Sequence, residues 1–411
     1  MIFSCKFNIK PKYFIFDTAM MKRMLNGFLS LIFTLYLVLH ACSNKDDPSI
    51  FYYPAEFGPN NSTCFVWSTD YYEIIPRLIG IISQKDTVTI FIGKSDENTS
   101  RIHAILKKYN CNLSNIRLMK LNGNYENIWI RDYGPFYLVN RLGEKKLVQF
   151  RYFWSDPGFV DDFASLMSLP VVKSTYNSTG GSREANGQGT MILCEVHELD
   201  VNHPKTRQEI ESEMINRLNL KKIIWLKKGI PQDDSFLSGP ISGQIYPKGV
   251  NGHVDEFCRF AGPATILISS VTEEEAKSSP IFNEAKKRLD ENFEILKNAT
   301  DQNGNRFNVI KVPIAPLLIS DRREGPEKKI VAIVSSYMNF IITNSLIILP
   351  SYVSEDSENM TLRKKEKKVG EIFQQVFPTR EIIKVRADTL NYYSGGFHCI
   401  SIHEPQAPKN K

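Results

Sequence analysis

The chain has 411 residues, of which 42% are hydrophobic and 23% are charged. This composition is that of an ordinary globular protein and excludes a fibrous or largely disordered chain. The formal net charge is +6, but most of the excess lies in residues 1–41. The remainder is too weakly basic to predict nucleic acid as a partner.

The first predicted element is a targeting segment. Lys22 and Arg23 precede an apolar run at 27–41, which is shorter than the roughly 20 residues of a spanning helix. The run ends at Ala41 and Cys42, and a polar stretch follows. This pattern resembles a bacterial lipoprotein signal, in which lipid is attached to the cysteine. An uncleaved amino-terminal anchor is the alternative.

We therefore expect residues 1–41 to be a lipoprotein signal peptide, with a true start downstream of Met1, and residues 42–52 to be a short polar tether. Lipid on Cys42 would anchor an exported protein to a bacterial membrane, on its periplasmic or surface side. The chain has seven cysteines and no CxxC pair. Without Cys5 and Cys42 an odd number remains, which predicts no disulfide framework and at least one thiol of interest.

Residues 53–405 are predicted to form a single domain of α/β class, followed by a tail at 406–411. Short β-branched runs predict strands, and longer periodic segments predict helices between several of them. The strands are expected at 87–92, 222–225, 265–269, 307–312, 331–335, 345–349 and 381–385, and the clearest helices at 273–297 and 361–377. This alternation is typical of α/β architecture.

Two segments with unusual chemistry come first along the chain. At 129–135, Trp129, Arg131 and Asp132 stand beside a Gly-Pro turn, which by itself most often indicates a local salt bridge or cap. At 179–190, four glycines lie in a polar stretch. That stretch lacks the lysine and the spacing of a P-loop, so a hairpin or a ligand-lining loop is the simpler interpretation.

Two further segments carry a histidine and a cysteine. On an extended segment His253 and Asp255 would face the same side, and Glu256 would face away. Cys399 follows two glycines on a predicted apolar strand, where His398 would point to the opposite face. His253 is then the candidate partner of Cys399. The simpler alternatives are a buried histidine and a small buried cysteine. A metal site is a further alternative, but no close ligand spacing supports it.

The ordered set of segments resembles the family of agmatine deiminases and bacterial, Porphyromonas-type peptidylarginine deiminases, in the pentein superfamily. The resemblance also covers 54–57, 337–340 with Asn344, 377–380 and 396–399. It extends over nearly all of residues 53–405. It implies a five-bladed, pseudo-symmetric α/β propeller of ββαβ units around a central active site.

The resemblance also implies a reaction: hydrolysis of a guanidino group to a ureido group and ammonia, without cofactor or metal. Cys399 would be the nucleophile and form a thiouronium intermediate, and His253 would be the acid and base. Asp132 and Asp255 would hold the planar guanidinium by paired, charge-assisted hydrogen bonds. Substrate-binding candidates are Trp129, Arg131, Gly181, Glu184, Asn344 and Trp154.

The substrate is left open between agmatine and peptidyl-arginine. Many relatives have an acidic residue before the paired glycines, where this chain has Thr179; Glu184 nearby could replace it. A different class of function is an exported guanidine- or polyamine-binding lipoprotein without catalysis. The expected partners are a small guanidino substrate or an arginine-containing peptide, and the membrane through Cys42. An oligomer is compatible with the sequence.

Overall fold

The computed structural model describes residues 47–68, 73–94, 99–153, 158–324, 329–354 and 358–408. The chain divides into two compact units, Met1–Ile50 and Phe51–Lys411. In the first unit, the described residues form one turn, in which the Ile50 amide donates to the Asp47 carbonyl (3.3 Å). The predicted signal peptide, Cys42 and Trp154 lie outside the described residues. Among the helices that are described, none has the length and apolar character needed to cross a membrane.

The second unit alternates strands and helices, as the sequence predicts. Its first half contains β1 (Asn60–Val66), α1 (Ile74–Ile82), β2 (Val88–Ile92), α2 (Thr99–Lys108), β3 (Ile116–Lys120), α3 (Ile130–Tyr133), β4 (Phe136–Val139), β5 (Lys145–Arg151), α4 (Phe159–Met167), β6 (Val171–Asn177), β7 (Arg183–Ala185), β8 (Thr190–Cys194), α5 (Glu195–Val201), α6 (Arg207–Leu218) and β9 (Lys222–Leu226). Its second half contains β10 (Ile245–Pro247), β11 (Cys258–Gly262), β12 (Thr265–Ser270), α7 (Glu273–Ser278), α8 (Pro280–Asn298), β13 (Asn308–Pro313), β14 (Leu318–Glu324), β15 (Lys329–Ile333), β16 (Ile341–Ile342), β17 (Leu346–Ser351), α9 (Met360–Val376), β18 (Glu381–Arg386), α10 (Asp388–Asn391) and β19 (Ile402–Pro405).

Five of the six sheets in the described residues share one pattern. Two antiparallel strands come first, and a helical connection then leads to a strand that pairs parallel to one of them. Four of these sheets have the orders β4-β5-β6, β7-β8-β9, β11-β12-β13 and β16-β17-β18. The fifth, β19-β1-β2-β3, joins the two ends of the domain, because β19 pairs antiparallel with β1. The sixth sheet has the order β10-β15-β14.

The middle strands are the most apolar because helix and core cover them on both faces. Every residue of β2, β8 and β17 is buried. The largest apolar cluster packs α1, α2 and α9 against β2 and β17, whereas β8 belongs to two other clusters.

The predicted helix at 273–297 is wrong in one respect, because the structure divides it into α7 and α8. Ser279 and Pro280 make the break: Pro280 has no amide hydrogen to continue α7, and its fixed φ suits the first position of a new helix. Thr272 and Glu275 form a capping box at the start of α7. The other predicted elements occur within a few residues of the expected positions.

Candidate active site

Cys399 lies in a turn at 397–400 and not on the predicted strand. The two glycines before it are needed because neighbouring side chains leave no room for a Cβ atom. A Cβ on Gly396 would lie 2.3 Å from Oδ1 of Asn339, and a Cβ on Gly395 would lie 2.3 Å from the Trp129 ring. This close packing leaves the thiol 5% exposed and 3.2 Å from Nδ2 of Asn339. Trp129 therefore supports the turn that carries Cys399.

Two carboxylates lie beside this thiol, and a third acts on its charge. The Cys399 Sγ atom lies 3.9 Å from Oδ2 of Asp255 and 3.8 Å from Oε1 of Glu256, and Asp132 adds a third nearby charge. Each carboxylate has one buried oxygen with no hydrogen-bond partner in the described residues: Asp132 Oδ1, Asp255 Oδ1 and Glu256 Oε2. Buried acceptors without partners are rare and call for a donor. The site thus has the acceptors and the negative charge to bind a cation with several N–H groups.

The position of Glu256 corrects the prediction that its side chain faces away. Val254–Glu256 is a 3-10 turn, not an extended segment, so the two-residue alternation does not apply. The turn brings the Glu256 carboxylate to the thiol, where Nδ2 of Asn339 donates to its Oε1 (2.8 Å). Glu256 is therefore a site residue that the sequence interpretation missed.

Burial and mutual repulsion set the protonation of this group. Burial, then the charge of Asp255, raises the pKa of Asp132 well above its usual value, and the same two causes raise the pKa of Glu256. Burial and the three carboxylates raise the pKa of Cys399 well above that of a free thiol. Asp255 differs, because although burial raises its pKa, its hydrogen bond with His398 and the nearby charges lower it overall. A cation bound here would favour the ionised form of every one of these acids.

His253 stands at the start of the same 3-10 turn. Its amide donates to Oδ2 of Asp233 (2.7 Å), its Nε2 lies 3.0 Å from Oγ1 of Thr179, and its Nδ1 lies 3.8 Å from Oδ1 of Asp132. A Cβ on Gly181 would lie 2.4 Å from Nδ1 of His253, so only glycine leaves this nitrogen uncovered. Burial lowers the pKa of His253 to about 4, so the imidazole is neutral in the empty site.

A buried network of ion pairs lies behind the site, with Glu56 at its centre. Oε2 of Glu56 accepts from Nε2 of His398 (2.7 Å) and from the Arg259 guanidinium (2.9 Å), and Oε1 pairs with Arg131. Nδ1 of His398 bonds Oδ2 of Asp255 (2.6 Å). This network fixes Asp255 through His398, whose two ring nitrogens are both taken by carboxylates.

Two predicted substrate-binding residues are part of this network. Arg131 pairs with Glu56 and donates through its amide to the Cys399 carbonyl (3.1 Å). Glu184 pairs with Arg259 and accepts from the Phe260 amide (3.1 Å). Both carboxylate oxygens of Glu184 are thus bound by protein groups, whereas Nη2 of Arg131 is buried without a hydrogen-bond partner among the described residues.

The other predicted contacts have different placements. Both polar atoms of the Asn344 side chain bond the backbone of Asn60, at the start of β1, which makes Asn344 a link between strands. Gly181 lies against His253, as described above. Trp154 lies outside the described residues.

Metal ligation is an alternative use of these side chains. Among the described residues, Asp255, Glu256 and Cys399 offer donor atoms within 4.8 Å of one another, as do Glu56, Glu184 and His398; neither group includes His253. The second group is already neutralised by Arg131 and Arg259. The first group offers a thiol and two carboxylates, which would suit a cation.

The structure also shows which residues sequence reasoning missed. Glu56 and Asn339 belong to the segments 54–57 and 337–340 that carry the family resemblance, and this was the signal available for them. Thr179 was noted only as a departure from relatives. No sequence signal marked His197, whose ring lies 4.8 Å from the ring of His253.

Comparison with known proteins agrees with this geometry. The family model described as Porphyromonas-type peptidyl-arginine deiminase matches residues 52–405. Agmatine deiminase of Pseudomonas syringae pv. tomato is 26% identical over 391 residues, which cover 86% of this chain and 95% of that protein. Agmatine deiminase of Pseudomonas fluorescens is 25% identical over 405 residues, which cover 89% and 98%.

Solved structures show the same fold. Agmatine deiminase of Enterococcus faecalis has a TM-score of 0.68 at 23% identity, with 87% of this chain and 96% of that chain covered. A serine variant of C. jejuni agmatine deiminase with substrate bound has a TM-score of 0.65 at 20% identity, with 88% and 98% covered. The fold is therefore the α/β fold of the pentein superfamily, and the chain belongs to the Porphyromonas-type peptidyl-arginine deiminase family.

Proposed function

We propose that this protein hydrolyses a guanidino group to a ureido group and ammonia, with Cys399 as the nucleophile. Two observations together carry the proposal. Asp255 and Glu256 lie beside the buried thiol of Cys399 (3.9 and 3.8 Å), and Asp132, Asp255 and Glu256 each keep one carboxylate oxygen without a hydrogen-bond partner among the described residues. A guanidinium ion is planar, cationic and rich in N–H donors, so it satisfies these acceptors and presents its carbon to the sulfur.

The substrate itself activates the thiol. In the empty site the pKa of Cys399 is raised by burial and by the carboxylates, so the sulfur is protonated at neutral pH. A bound guanidinium neutralises these carboxylates and brings a positive charge beside the sulfur, and both effects lower the thiol pKa. The nucleophile therefore forms when its target is present.

His253 completes the proton transfers. The thiol proton passes to His253, the thiolate adds to the guanidinium carbon, and His253 returns the proton to the leaving nitrogen as its C–N bond breaks. Ammonia leaves, and the carbon stays attached to sulfur as a thiouronium. His253 then takes a proton from water, and the water oxygen adds to the same carbon. As the C–S bond breaks, the remaining proton of the added hydroxyl passes to the departing sulfur. This step releases the ureido product and restores the Cys399 thiol, and His253 returns its proton to solvent.

Agmatine is the proposed substrate, because the relatives that cover nearly the whole domain are named agmatine deiminases. The description of the family supports peptidyl-arginine as the second candidate. A binding protein without catalysis is the weaker hypothesis, since thiol, imidazole and carboxylates come together in one place.

Two broader features belong to the same proposal. We propose that the five sheets of common pattern stand around one axis as a five-bladed propeller, with the site near that axis; the repeated strand orders support this arrangement. We also propose export and lipid attachment at Cys42, which the sequence at 22–47 supports. Incorporation of radiolabelled palmitate that is lost in Cys42→Ala would support lipidation, and incorporation that persists would refute it.

The test of the reaction is ammonia release by residues 43–411 given agmatine, free arginine or a peptide with carboxy-terminal arginine. Cys399→Ala is expected to abolish release, and a chelator is expected to leave it unchanged. Cys111→Ala is the matched control, because Cys111 is a half-buried thiol just after α2 whose Sγ donates to the Pro76 carbonyl (3.6 Å). Release that survives in Cys399→Ala would refute the proposed nucleophile.

A further inference from the structure

A line of three hydrogen bonds extends behind His253, away from the carboxylates. Nε2 of His253 contacts Oγ1 of Thr179 (3.0 Å), and the same oxygen contacts Nε2 of His197 (3.2 Å). Nδ1 of His197 contacts the carbonyl of Val250 (3.2 Å). All three side chains are at most 1% exposed, so water does not compete for these contacts.

The Val250 carbonyl determines the direction of every bond in this line. A carbonyl can only accept, so Nδ1 of His197 carries hydrogen, and in the neutral ring its Nε2 is then an acceptor. The Thr179 hydroxyl must donate to that nitrogen. Its oxygen lone pair is left to accept from His253, which places the hydrogen of His253 on Nε2.

The opposite direction of donation is incompatible with the bond between His197 and the Val250 carbonyl. If Thr179 donated to His253, His197 would have to donate through Nε2, and the lone pair of its Nδ1 would face the Val250 carbonyl. A doubly protonated His197 would avoid this clash, but burial and the positive charge of neighbouring groups lower the pKa of His197 well below its usual value. The neutral ring therefore allows one direction only.

We propose that Thr179 and His197 are positioning residues that hold His253 in the tautomer with hydrogen on Nε2 and a lone pair on Nδ1, facing the reacting nitrogen. This inference rests on the proposed function, in which His253 transfers protons. Nδ1 is the nitrogen that faces Oδ1 of Asp132 at 3.8 Å and that the missing side chain of Gly181 leaves open. A substrate nitrogen about 2.9 Å from each of these two atoms fits between them.

Among the residues that the structure describes, the Thr179 hydroxyl is the only group that hydrogen-bonds the ring of His253. The titratable groups that face it or act on its charge are Asp132, Asp255, His197, His398 and Asp233. Asp233 bonds the backbone amide of His253 and not its ring. The Thr179 hydroxyl is thus the contact on which the ring orientation and the tautomer depend.

The experiment compares Thr179→Val, Thr179→Ser and wild type. Valine keeps the shape of threonine but removes the hydroxyl, whereas serine keeps the hydroxyl. The tautomer of His253 is read from ¹⁵N chemical shifts of histidine-labelled protein without substrate, with the signal assigned by its loss in His253→Gln. Ser178→Ala is the matched control, because Ser178 is the adjacent buried hydroxyl and bonds Glu198 instead (2.9 Å).

We expect wild type and Thr179→Ser to show His253 protonated at Nε2, and Thr179→Val to show a mixture or the Nδ1 form. We expect kcat of Thr179→Val to fall by about tenfold to a hundredfold with KM within about threefold, and Ser178→Ala to keep the wild-type tautomer. A wild-type His253 protonated at Nδ1, or a Thr179→Val protein with unchanged tautomer and unchanged kcat, would overturn the inference. Because the tautomer is measured without substrate, absence of ammonia release in every protein would count against the proposed function alone.

Discussion

At the residue scale, burial and mutual repulsion disfavour the ionised forms of the Cys399 thiol and of two neighbouring carboxyl groups before substrate binds. The thiol pKa is raised, the pKa of Asp132 and of Glu256 is raised, and the imidazole of His253 is neutral. A cation that binds here would lower the pKa of the thiol and of both carboxyl groups, and would thereby activate the site. Two predictions follow from this electrostatic arrangement.

The first prediction concerns pH. Asp132 and Glu256 must be ionised to hold a guanidinium, and the pKa of each is raised well above its usual value. Since kcat/KM reports the free protein, it should still rise with pH above about pH 5, where ordinary carboxylic acids are already ionised. The rise of kcat, which reports the complex, should lie at lower pH because the bound guanidinium lowers the pKa of both carboxyl groups. Steady-state rates between about pH 4 and 9 measure both. A kcat/KM that is flat from about pH 5 upward would show that both carboxylates are ionised before substrate binds.

The second prediction concerns the guanidinium contact of Asp132. Asp132→Asn replaces an acceptor oxygen by a donor of the same shape, and we expect kcat/KM to fall by roughly thirtyfold to a thousandfold, or about 2–4 kcal/mol. Asp161→Asn is the control, because Asp161 pairs with Lys173 on the exposed face of α4 and should change kcat/KM by less than about twofold. Equal effects of the two substitutions would remove Asp132 from the substrate contacts.

At the element scale, the segment 250–253 determines where His253 lies. The Asp233 carboxylate accepts from the amides of Val250, Gly252 and His253 (2.9, 3.0 and 2.7 Å). Gly252 has φ +100° and packs against β8 and α5. This turn is built from backbone contacts that a side chain at position 252 would displace.

We therefore expect Gly252→Ala to be harmful for two reasons. Its Cβ would lie 2.7 Å from Val196 and 2.9 Å from Cys194, and the positive φ disfavours any side chain. The free energy of unfolding should fall by about 2–4 kcal/mol, and activity should fall as His253 moves. Gly304→Ala is the matched control, because Gly304 has φ +88° and no atom within 4 Å of the added Cβ.

Urea denaturation of the two alanine variants separates two contributions to the loss of stability: backbone strain at positive φ, which both variants have, and steric overlap of the added Cβ, which only Gly252→Ala has. Gly304→Ala should lose about 1 kcal/mol from its backbone conformation alone and keep full activity. If Gly252→Ala were no less stable than Gly304→Ala, the close packing at position 252 would not contribute to stability.

At the scale of the whole molecule, the two ends of the domain meet in one sheet. Residues Cys64 to Asn60 of β1 pair with Ile402 to Pro405 of β19, and Glu404 forms ion pairs with Arg117 and Lys145. Cys399 stands three residues before β19. The closure of the sheet and the position of the nucleophile are therefore linked.

Removal of residues 402–411 should then remove most of the roughly 5–15 kcal/mol by which a domain is stable, because β1 loses a partner strand and becomes an edge. A chain that ends at Pro408 is the control and should unfold like the full-length domain. Circular dichroism during thermal unfolding measures both. A cooperative transition at the control temperature in the chain without 402–411 would show that the closure contributes little.

The sequence by itself determined the α/β class and the positions of most strands and helices. The resemblance of its ordered segments to a known family predicted that Cys399, His253, Asp132 and Asp255 form one site. These features depend on local patterns and on the order of segments, which are visible along the chain. The direction of the Glu256 side chain was predicted wrongly, because the alternation of side chains along an extended strand does not apply to the 3-10 turn in which Glu256 lies.

Only the tertiary structure decided what the other polar side chains do. Glu56 and His398 are 342 positions apart in the sequence yet share a hydrogen bond, and Thr179 meets His253 across 74 positions. The direction of a side chain in the interior depends on which partners satisfy its hydrogen bonds, and those partners come from distant strands. For this reason the protein partners of Glu184 and Asn344, and the position of His197 beside His253, were found only in the folded chain.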